Sequence, residues 1–269
     1  MSEGVATVIR QLAKSGGGGF EWYKESCLLR RIEVRMRARG VGTLIAYAGL
    51  LAGDPEEVDR LLHTLSVRVT GFFRNPDTWL RLREVIVEAE LGREGTLTVW
   101  SMGCATGEEP WSLAMLLLEH AARAGYPPAG SIRVVASDVD PIALDTARAG
   151  VYAKPAADAI KQLIADPPGR CDGGGFDVGK APREVVSFRR DDLTADTVPP
   201  LSAPADLVCC RNVLIFLGRE GQRRLLAAAA GALRPGGLLL LGRTESLVAL
   251  PGAPFVPVDV SHRIYRRTA

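Results

Sequence analysis

The sequence predicts an α/β protein in which an all-helical unit precedes a mostly parallel β-sheet. From Phe20 to about Glu90, apolar residues recur at three- and four-residue spacing, which is the period of an amphipathic helix. After Gly95, short apolar runs alternate with helical runs. This alternation is typical of parallel strands that are joined by helices and buried on both faces. We therefore expect a helical domain over residues 1–90 and a sheet-containing domain over residues 91–269.

Local signals justify the elements in chain order. Asp54-Pro55-Glu56-Glu57 is typical of a helix start, since an N-cap residue is followed by proline and then by acids. Between about residues 153 and 188 the pattern weakens into Gly- and Pro-rich sequence, which indicates an insertion. The expected strands are Thr96–Ser101, Ile132–Ser137, Ala205–Cys210 and Gly237–Gly242, and the expected helices among them are Pro110–Ala124, Ile142–Ala149 and Glu220–Leu233.

The composition excludes several classes of protein. Lys and Arg number 33 and Asp and Glu number 31, so the net charge is +2. So small a net charge argues against a chain that binds nucleic acid over its whole surface, because such proteins are strongly basic. No apolar run approaches the roughly 20 residues that span a bilayer. The five cysteines have no paired CxxC spacing, so we expect no metal site and no disulfide framework, as in a cytoplasmic protein.

The first strand–turn–helix, Ser101–Pro110, indicates the charge of the ligand. Gly103 and Gly107 permit a tight turn and close approach of the backbone. Glu108 and Glu109 stand at the helix N-terminus, where a dinucleotide-binding fold would place a phosphate. Two carboxylates repel phosphate but suit a cation, and S-adenosylmethionine carries a sulfonium and an ammonium. Alternatively, the two acids simply cap the helix.

The second predicted strand ends in an acidic pair. Asp138 is the first residue after the apolar run, a position from which a carboxylate commonly binds the hydroxyl groups of a ribose. Asp140 precedes Pro141, and this order is more typical of a helix N-cap. Helix capping is also the alternative role for Asp138.

Several stretches together resemble one known family. They include Val69–Asn75, Val99–Leu113 and Asp206–Ile215, in the family's order along the chain from about residue 20 to the end. On these residues the chain resembles the chemotaxis receptor methyltransferases of the CheR type, which use S-adenosylmethionine to methylate glutamate side chains of chemoreceptors. The resemblance implies a Rossmann-like S-adenosylmethionine-dependent methyltransferase domain, an all-helical N-terminal domain and a small inserted β-subdomain.

The resemblance also assigns roles to individual residues. It implies that Glu109 binds the methionine portion of the cofactor, that Asp138 binds the ribose, and that Asp192 and Leu193 lie near the adenine. Residues that would line the pocket or close over the cofactor complete the set. The implied cofactor-binding residues are Arg68, Thr70, Arg74, Gly103, Glu109, Asp138, Asp192, Leu193, Arg211 and Asn212.

Three positions depart from the family pattern. Arg68 and Asp192 stand where the family more often has asparagine. Phe216 stands where the family has a tyrosine that faces the transferring methyl group. Phe216 can be interpreted in two ways. Either its ring still forms the pocket wall and only one hydrogen bond is lost, or the missing hydroxyl lowers or abolishes the activity.

The implied reaction, which forms a glutamate methyl ester and S-adenosylhomocysteine, requires little acid–base chemistry. A glutamate is ionised at neutral pH and attacks the methyl group directly, so positioning can supply most of the rate. Arg74 and Phe216 are the catalytic candidates. Arg74 would orient the incoming carboxylate, because guanidinium and carboxylate geometries match. Its alternative role is a structural ion pair.

A basic segment indicates the partner. Arg31, Arg35 and Arg39 recur every four residues and therefore share one helix face. Such a face can be merely solvated or bind nucleic acid, but it also suits an acidic receptor helix, which the resemblance favours. We expect a monomer that binds the cytoplasmic helical region of chemoreceptors, without nucleic acid and without membrane insertion. Two rivals stay open: a methyltransferase with another acceptor, and a non-catalytic module that binds S-adenosylmethionine or its product.

Overall fold

The computed structural model describes residues 1–15, 20–66, 69–88, 95–125, 131–153, 155–172, 175–195, 198–247 and 252–268. The α-helices are α1 Glu3–Lys14, α2 Glu25–Ala38, α3 Leu44–Gly53, α4 Pro55–Leu65, α5 Pro76–Glu88, α6 Glu108–Ala124, α7 Pro141–Ala149, α8 Pro155–Lys161, α9 Lys180–Val185 and α10 Arg219–Ala232. Short 3-10 turns cover Phe20–Trp22 and Leu214–Phe216. Within these described ranges, no helix combines the length and the apolar character that crossing a bilayer demands.

In the described ranges, ten strands form two sheets. They are β1 Leu97–Met102, β2 Ile132–Asp138, β3 Val151–Ala153, β4 Arg170–Asp172, β5 Gly175–Asp177, β6 Val186–Arg190, β7 Ala205–Cys210, β8 Leu233–Leu241, β9 Phe255–Asp259 and β10 Ile264–Arg267. The main sheet has the order β6-β2-β1-β7-β8-β10-β9. Its first five strands in that order are parallel, and β10 and β9 each run antiparallel to the preceding neighbour. The predicted α/β class with a mostly parallel sheet is confirmed.

The strand order creates a ligand-binding position. The chain runs outward from β1 through β2 to β6 and then returns to the other side of β1 as β7. Connections leave the sheet in opposite directions at this point, so a crevice opens beyond the carboxyl ends of β1 and β7. All six residues of β1 are buried, as expected for a central strand that is covered on both faces.

The helices α1–α4 enclose a core of their own. Their buried side chains, such as Leu12, Ile32 and Leu61, pack against one another. The start of α4 has the predicted geometry, because the Asp54 side chain accepts a hydrogen bond from the N–H of Glu57 at 3.0 Å. In contrast, buried side chains of α5 such as Trp79 belong to the core of the main sheet. We therefore propose a domain boundary between α4 and α5 rather than near residue 90.

Several elements were not expected from the sequence. The edge strands β6 and β9 and the adjacent β10 were missed, and so was α1. An edge strand is covered less completely, and β6 is accordingly half-polar, so its sequence lacks the apolar run that marks a central strand. The small antiparallel sheet of β3, β5 and β4 lies between α7 and α9, within and just before the predicted insertion. Its Phe176 contacts Phe72 of the larger domain with ring centres 5.9 Å apart.

Candidate functional site

A cleft of about 310 Å³ opens beyond the carboxyl ends of β1, β2 and β7. This is where open α/β sheets bind their ligands. The structure brings together every described residue that was predicted to bind cofactor or take part in catalysis. The cleft is lined by Thr70, Arg74, Gly103, Glu109, Asp138, Asp192, Leu193, Arg211, Asn212 and Phe216. Arg68 lies outside the described residues.

The turn after β1 depends on a glycine. Gly103 has a φ of +72°, and a Cβ at this position would lie 2.6 Å from Cγ2 of Val213. A side chain would therefore meet both an unfavourable backbone conformation and an atomic overlap. The N–H groups of Gly103 and Cys104 both donate to the carbonyl oxygen of Ser137, at 2.8 and 3.0 Å. The turn is thus attached to the end of β2.

Asp138 joins two loops while it faces the cleft. Its Oδ2 accepts the N–H of Ala105 at 2.8 Å, and its Oδ1 accepts the N–H of Asp140 at 3.0 Å. Each carboxylate oxygen keeps further capacity to accept a hydroxyl group. Burial raises the pKa of Asp138, against the effect of these backbone hydrogen bonds. Asp140 instead caps α7, as predicted, by accepting the N–H groups of Ile142 and Ala143.

The two acids at the start of α6 have different surroundings. Glu108 accepts a hydrogen bond from the Thr106 hydroxyl at 2.7 Å and stands in the first turn of α6, where an acid complements the helix dipole. Glu109 lines the cleft, where its Oε1 accepts the Ser101 hydroxyl at 2.8 Å and its Oε2 lies 3.4 Å from Nη1 of Arg211. Burial raises the pKa of Glu109, and the Arg211 guanidinium opposes that rise. Glu109 is therefore the acid that can meet a cationic ligand.

Arg211 organises the loop that precedes α5. Its Nη2 donates to the carbonyl oxygen of Arg74 at 2.6 Å and to Oδ1 of Asn75 at 3.2 Å. Its guanidinium also lies 5.3 Å from the centre of the Trp79 ring. Arg74 in turn donates to the carbonyl oxygen of Val69 at 2.5 Å. Arg211 thus fixes the backbone that presents Arg74 to the cleft.

Backbone strain is concentrated around the cleft. Among the described residues, five other than glycine have positive φ, and four of these belong to the loops that form the cleft: Phe73, Asn75, Ala105 and Asn212. Such conformations cost of order 1–3 kcal/mol each and persist only where surrounding contacts impose them. Conformations of this kind cluster at ligand-binding and active sites in proteins generally, which supports the cleft as the candidate site.

The wall beyond β6 holds Asp192 and Leu193. The N–H and hydroxyl groups of Thr194 donate to Oδ1 of Asp192 at 2.9 and 2.8 Å. Leu193 is buried, with 8% of its surface exposed. Neighbouring Asp191 forms an ion pair with Arg189 and also lines the cleft, although the sequence did not single it out.

Sequence reasoning missed the residues that the helical unit contributes. Phe20 and Tyr23 line the cleft with ring centres 4.9 Å apart. Tyr23 forms a β-bridge with Leu217, and the N–H of Lys24 donates to the carbonyl oxygen of Phe216 at 2.8 Å. Burial raises the pKa of Tyr23, and the carboxylates on the opposite wall raise it further, so its hydroxyl stays protonated. These contacts join segments nearly 200 residues apart, which no local pattern reveals.

Arg31 packs on the Phe216 side of the cleft. Its guanidinium carbon lies 5.4 Å from the centre of the Phe216 ring. Its Nη1 donates to the carbonyl oxygen of Leu65 at 2.6 Å. Arg31 therefore supports the ring that stands in place of the expected tyrosine.

The other two predicted partner-binding arginines pair with carboxylates of the helical unit. Arg35 donates to both carboxylate oxygens of Glu57, at 2.9 and 2.6 Å, and Arg39 pairs with Glu57 and Asp54. Glu57 is fully buried and also accepts the Tyr47 hydroxyl at 2.7 Å. Hydrogen bonds from Arg35 and Tyr47 hold the pKa of Glu57 below its ordinary value, although burial acts the other way. Arg35 thus has a structural partner.

The residues of the cleft fit S-adenosylmethionine. The carboxylates of Glu109, Asp138 and Asp192 can accept hydrogen bonds from an ammonium group and from hydroxyl groups. Among the residues that the structure describes, none forms a hydrogen bond with the buried hydroxyl oxygen of Ser66 or with the buried Nε of Arg211, and both residues line the cleft. Such atoms are expected where a ligand completes a site. Within the described part of the chain, no group of three or more His, Cys, Asp or Glu side chains could hold a metal ion.

Comparison with known families gives two matches. The family described as "CheR methyltransferase, all-alpha domain" matches residues 6–66. The family described as "CheR methyltransferase, SAM binding domain" matches residues 68–258. The division between the matches coincides with the separation of the two cores between α4 and α5.

Individual relatives match over most of this chain. An uncharacterized 104.1 kDa protein of Rhodobacter capsulatus is 36% identical over 268 residues, which cover 98% of this chain but only 28% of that protein. Chemotaxis protein methyltransferase 2 of Pseudomonas aeruginosa is 33% identical over 233 residues, which cover 84% of this chain and 80% of the relative. The chemotaxis protein methyltransferase of Escherichia coli is 29% identical over 236 residues, which cover 83% and 77%.

Proposed function

This chain belongs to the CheR methyltransferase family, and on that premise we propose that it transfers a methyl group from S-adenosylmethionine to glutamate side chains of chemoreceptors. The products are a glutamate methyl ester and S-adenosylhomocysteine. The observation that carries the proposal is the placement of Glu109, Asp138 and Arg74 around one cleft at the switch point of the sheet.

The cofactor side of the cleft is formed by carboxylates. S-adenosylmethionine, when bound, supplies a methyl group on a positively charged sulfur. Glu109 would hold the ammonium group, and its burial strengthens that attraction because the local dielectric constant is low. Asp138 would accept the ribose hydroxyl groups with the capacity that its two backbone hydrogen bonds leave free. Asp192 and Leu193 would bound the adenine.

Arg74 would direct the acceptor. The glutamate carboxylate is already ionised at neutral pH, so the chain needs to orient it rather than to remove a proton. Arg74 has five N–H donors, and its bond to the Val69 carbonyl uses one of them. A strongly stabilising ion pair would slow the reaction by stabilising the ground state, so we assign Arg74 an orienting role. Orientation of this kind is worth up to about 7–11 kcal/mol of the barrier.

Helix α2 would meet the receptor. Arg30 and Arg37 are exposed on this helix, and Arg39 is partly exposed, whereas Arg35 is engaged with buried Glu57. We propose that the solvent side of α2 binds an acidic helical region of the receptor, with Arg31 acting where α2 reaches Phe216. Because the proposed acceptor is the cytoplasmic region of the receptor, we expect this chain to act in the cytoplasm. We also expect it to act as a monomer.

The Phe216 ring favours a second candidate function. A chain without the expected tyrosine hydroxyl beside the methyl group could bind S-adenosylmethionine or S-adenosylhomocysteine and signal by association without catalysis. A methyltransferase that acts on another acceptor would share the same cofactor cleft, so the acceptor must be tested directly.

The test combines binding and transfer in one preparation of the full chain. Titration calorimetry with S-adenosylhomocysteine is followed by incubation with labelled S-adenosylmethionine and receptor-containing membranes. Asp138→Asn is the variant that disrupts the cleft, and Asp145→Asn is its matched control, because Asp145 is exposed on α7 and pairs with nearby Arg148. We expect Asp138→Asn alone to lower the affinity at least tenfold.

Each outcome assigns the function differently. Binding together with base-labile label on the receptor supports carboxyl methylation. Binding with label on another protein contradicts the receptor acceptor. Binding without any transfer favours the non-catalytic module. Absence of binding contradicts the cofactor site itself.

A further inference from the structure

Glu245 lies just beyond β8, and only 3% of its surface is exposed. Its Oε2 accepts the N–H of Gly242 at 2.6 Å and the N–H of Asn212 at 2.8 Å. Its Oε1 accepts the N–H of Ile215 at 3.4 Å. One carboxylate therefore connects the end of β8 to the loop that follows β7.

Backbone groups surround this carboxylate. In the part of the chain that the structure describes, no ion pair joins Glu245 to a cation. The N–H groups therefore supply the positive ends of dipoles that stabilise its charge. Burial raises the pKa of Glu245, and the backbone hydrogen bonds oppose the rise. The backbone N–H groups are therefore placed to bind a carboxylate at the position of Glu245.

Gly242 leaves no room for a different arrangement. A Cβ at this position would lie 2.7 Å from Oε2 of Glu245 and 2.8 Å from the backbone nitrogen of Asn212. A side chain here would displace either the carboxylate or the loop. Gly242 therefore leaves the space in which the Glu245 carboxylate can bind the backbone N–H of Asn212.

The loop over residues 211–216 carries three residues that line the cleft: Arg211, Asn212 and Phe216. Asn212 adopts a φ of +62°, a strained conformation for a residue other than glycine. Its N–H is one of the two groups that Oε2 of Glu245 holds. Loss of this bond would let the loop relax away from the strained conformation.

We propose that Glu245 is a positioning residue that holds the loop of residues 211–216 in the conformation that presents Arg211, Asn212 and Phe216 to the cofactor. The role in methyl transfer rests on the proposed function, whereas the role in binding S-adenosylhomocysteine does not. Glu245 acts through the loop.

The test compares Glu245→Gln with Asp206→Asn in the full chain. Asp206 serves as the control because its carboxylate also accepts a backbone N–H, from Thr98 at 2.8 Å, and it lies at the opposite end of β7 from the cleft. Asp206 additionally pairs with Arg234, so its substitution is at least as disruptive to the fold. Gly242→Ala is a second variant that displaces the same carboxylate. The measurements are hydrogen exchange of peptides covering residues 211–218, affinity for S-adenosylhomocysteine, thermal unfolding, and the kcat and KM of methyl transfer.

We expect Glu245→Gln and Gly242→Ala to exchange at least fivefold faster over residues 211–218 and to lose at least fivefold in affinity, while Asp206→Asn changes neither. A purely structural role would lower the unfolding temperature but leave affinity and exchange of the loop as in Asp206→Asn, and that result would overturn the proposal. If the wild-type chain methylates no receptor while both Glu245 effects appear, the proposed acceptor is wrong and the positioning role stands.

Discussion

Arg35→Met is expected to destabilise the folded chain by about 2–3 kcal/mol. Removal of one partner from a buried ion pair costs about 3–5 kcal/mol, because the other charge is left uncompensated. Here the remaining carboxylate, Glu57, is fully buried, but it keeps the Tyr47 hydroxyl at 2.7 Å and Arg39 at 3.3 Å. Arg35 is itself 17% exposed, and solvent screens part of the interaction, so we reduce the expected cost.

Urea unfolding measures this cost, with Arg37→Met as the control. Arg37 is exposed on the same helix, so its substitution removes an equal charge without uncovering Glu57. The double variant Arg35→Met/Glu57→Gln completes a thermodynamic cycle, and we expect it to be more stable than the sum of the single changes predicts.

The pH dependence provides the stricter test. In the wild type, the pKa of Glu57 is lowered on folding, so its contribution is present above the unfolded pKa and is lost as the pH falls through the folded pKa. Without Arg35, burial should raise that pKa, and protonation then relieves the uncompensated charge. The cost of Arg35→Met should therefore shrink in acid. A cost equal to that of Arg37→Met, or one independent of pH, would refute the structural role of Arg35.

Three further predictions concern the cleft. The affinity for S-adenosylhomocysteine should fall as the pH drops through the raised pKa of Glu109, because the ammonium group of the ligand requires the ionised carboxylate. Titration calorimetry in buffers of different ionisation enthalpy should then show that protons are released on binding near that pH. Gly103→Ala should lower both that affinity and the unfolding temperature, because its Cβ would lie 2.6 Å from Val213 at a φ of +72°, whereas Gly49→Ala, in a helix with open space around it, should lower neither. Phe216→Tyr should raise the kcat of methyl transfer several-fold with little change in affinity for S-adenosylhomocysteine; an unchanged kcat would show that the missing hydroxyl does not limit the rate.

The residues at the ends of the central strands could be predicted from the sequence. A buried parallel strand leaves a contiguous apolar run, and the residue that follows it necessarily lies at the carboxyl edge of the sheet. Gly103, Glu109 and Asp138 are each close in sequence to such a run, and all three line the cleft. Asp140 was likewise recognised as a helix cap from its immediate neighbour, and its hydrogen bonds to α7 confirm this.

The residues that act through distant contacts could not be predicted in the same way. Glu245 appears in the sequence as an ordinary acid after a strand, and only the fold brings Asn212 within 2.8 Å of it. Arg35 appears as part of a basic helix face, because the sequence does not reveal that Glu57 is buried beneath it. The left-handed conformation of Asn212 is similarly invisible, since asparagine tolerates a positive φ but does not require one.

The sequence by itself determined the α/β class, the helical N-terminal unit, the acidic character of the cofactor cleft and the resemblance to the CheR methyltransferases. These properties depend on periodicity, strand ends and short motifs, which involve residues near one another in the chain. Only the tertiary structure decided that α5 belongs to the core of the sheet and that Tyr23 closes one wall of the cleft. It also decided that Arg31, Arg35 and Arg39 have partners within the protein. The physical reason is that packing and ion pairing depend on which surfaces meet in space, and segments far apart in sequence supply those surfaces.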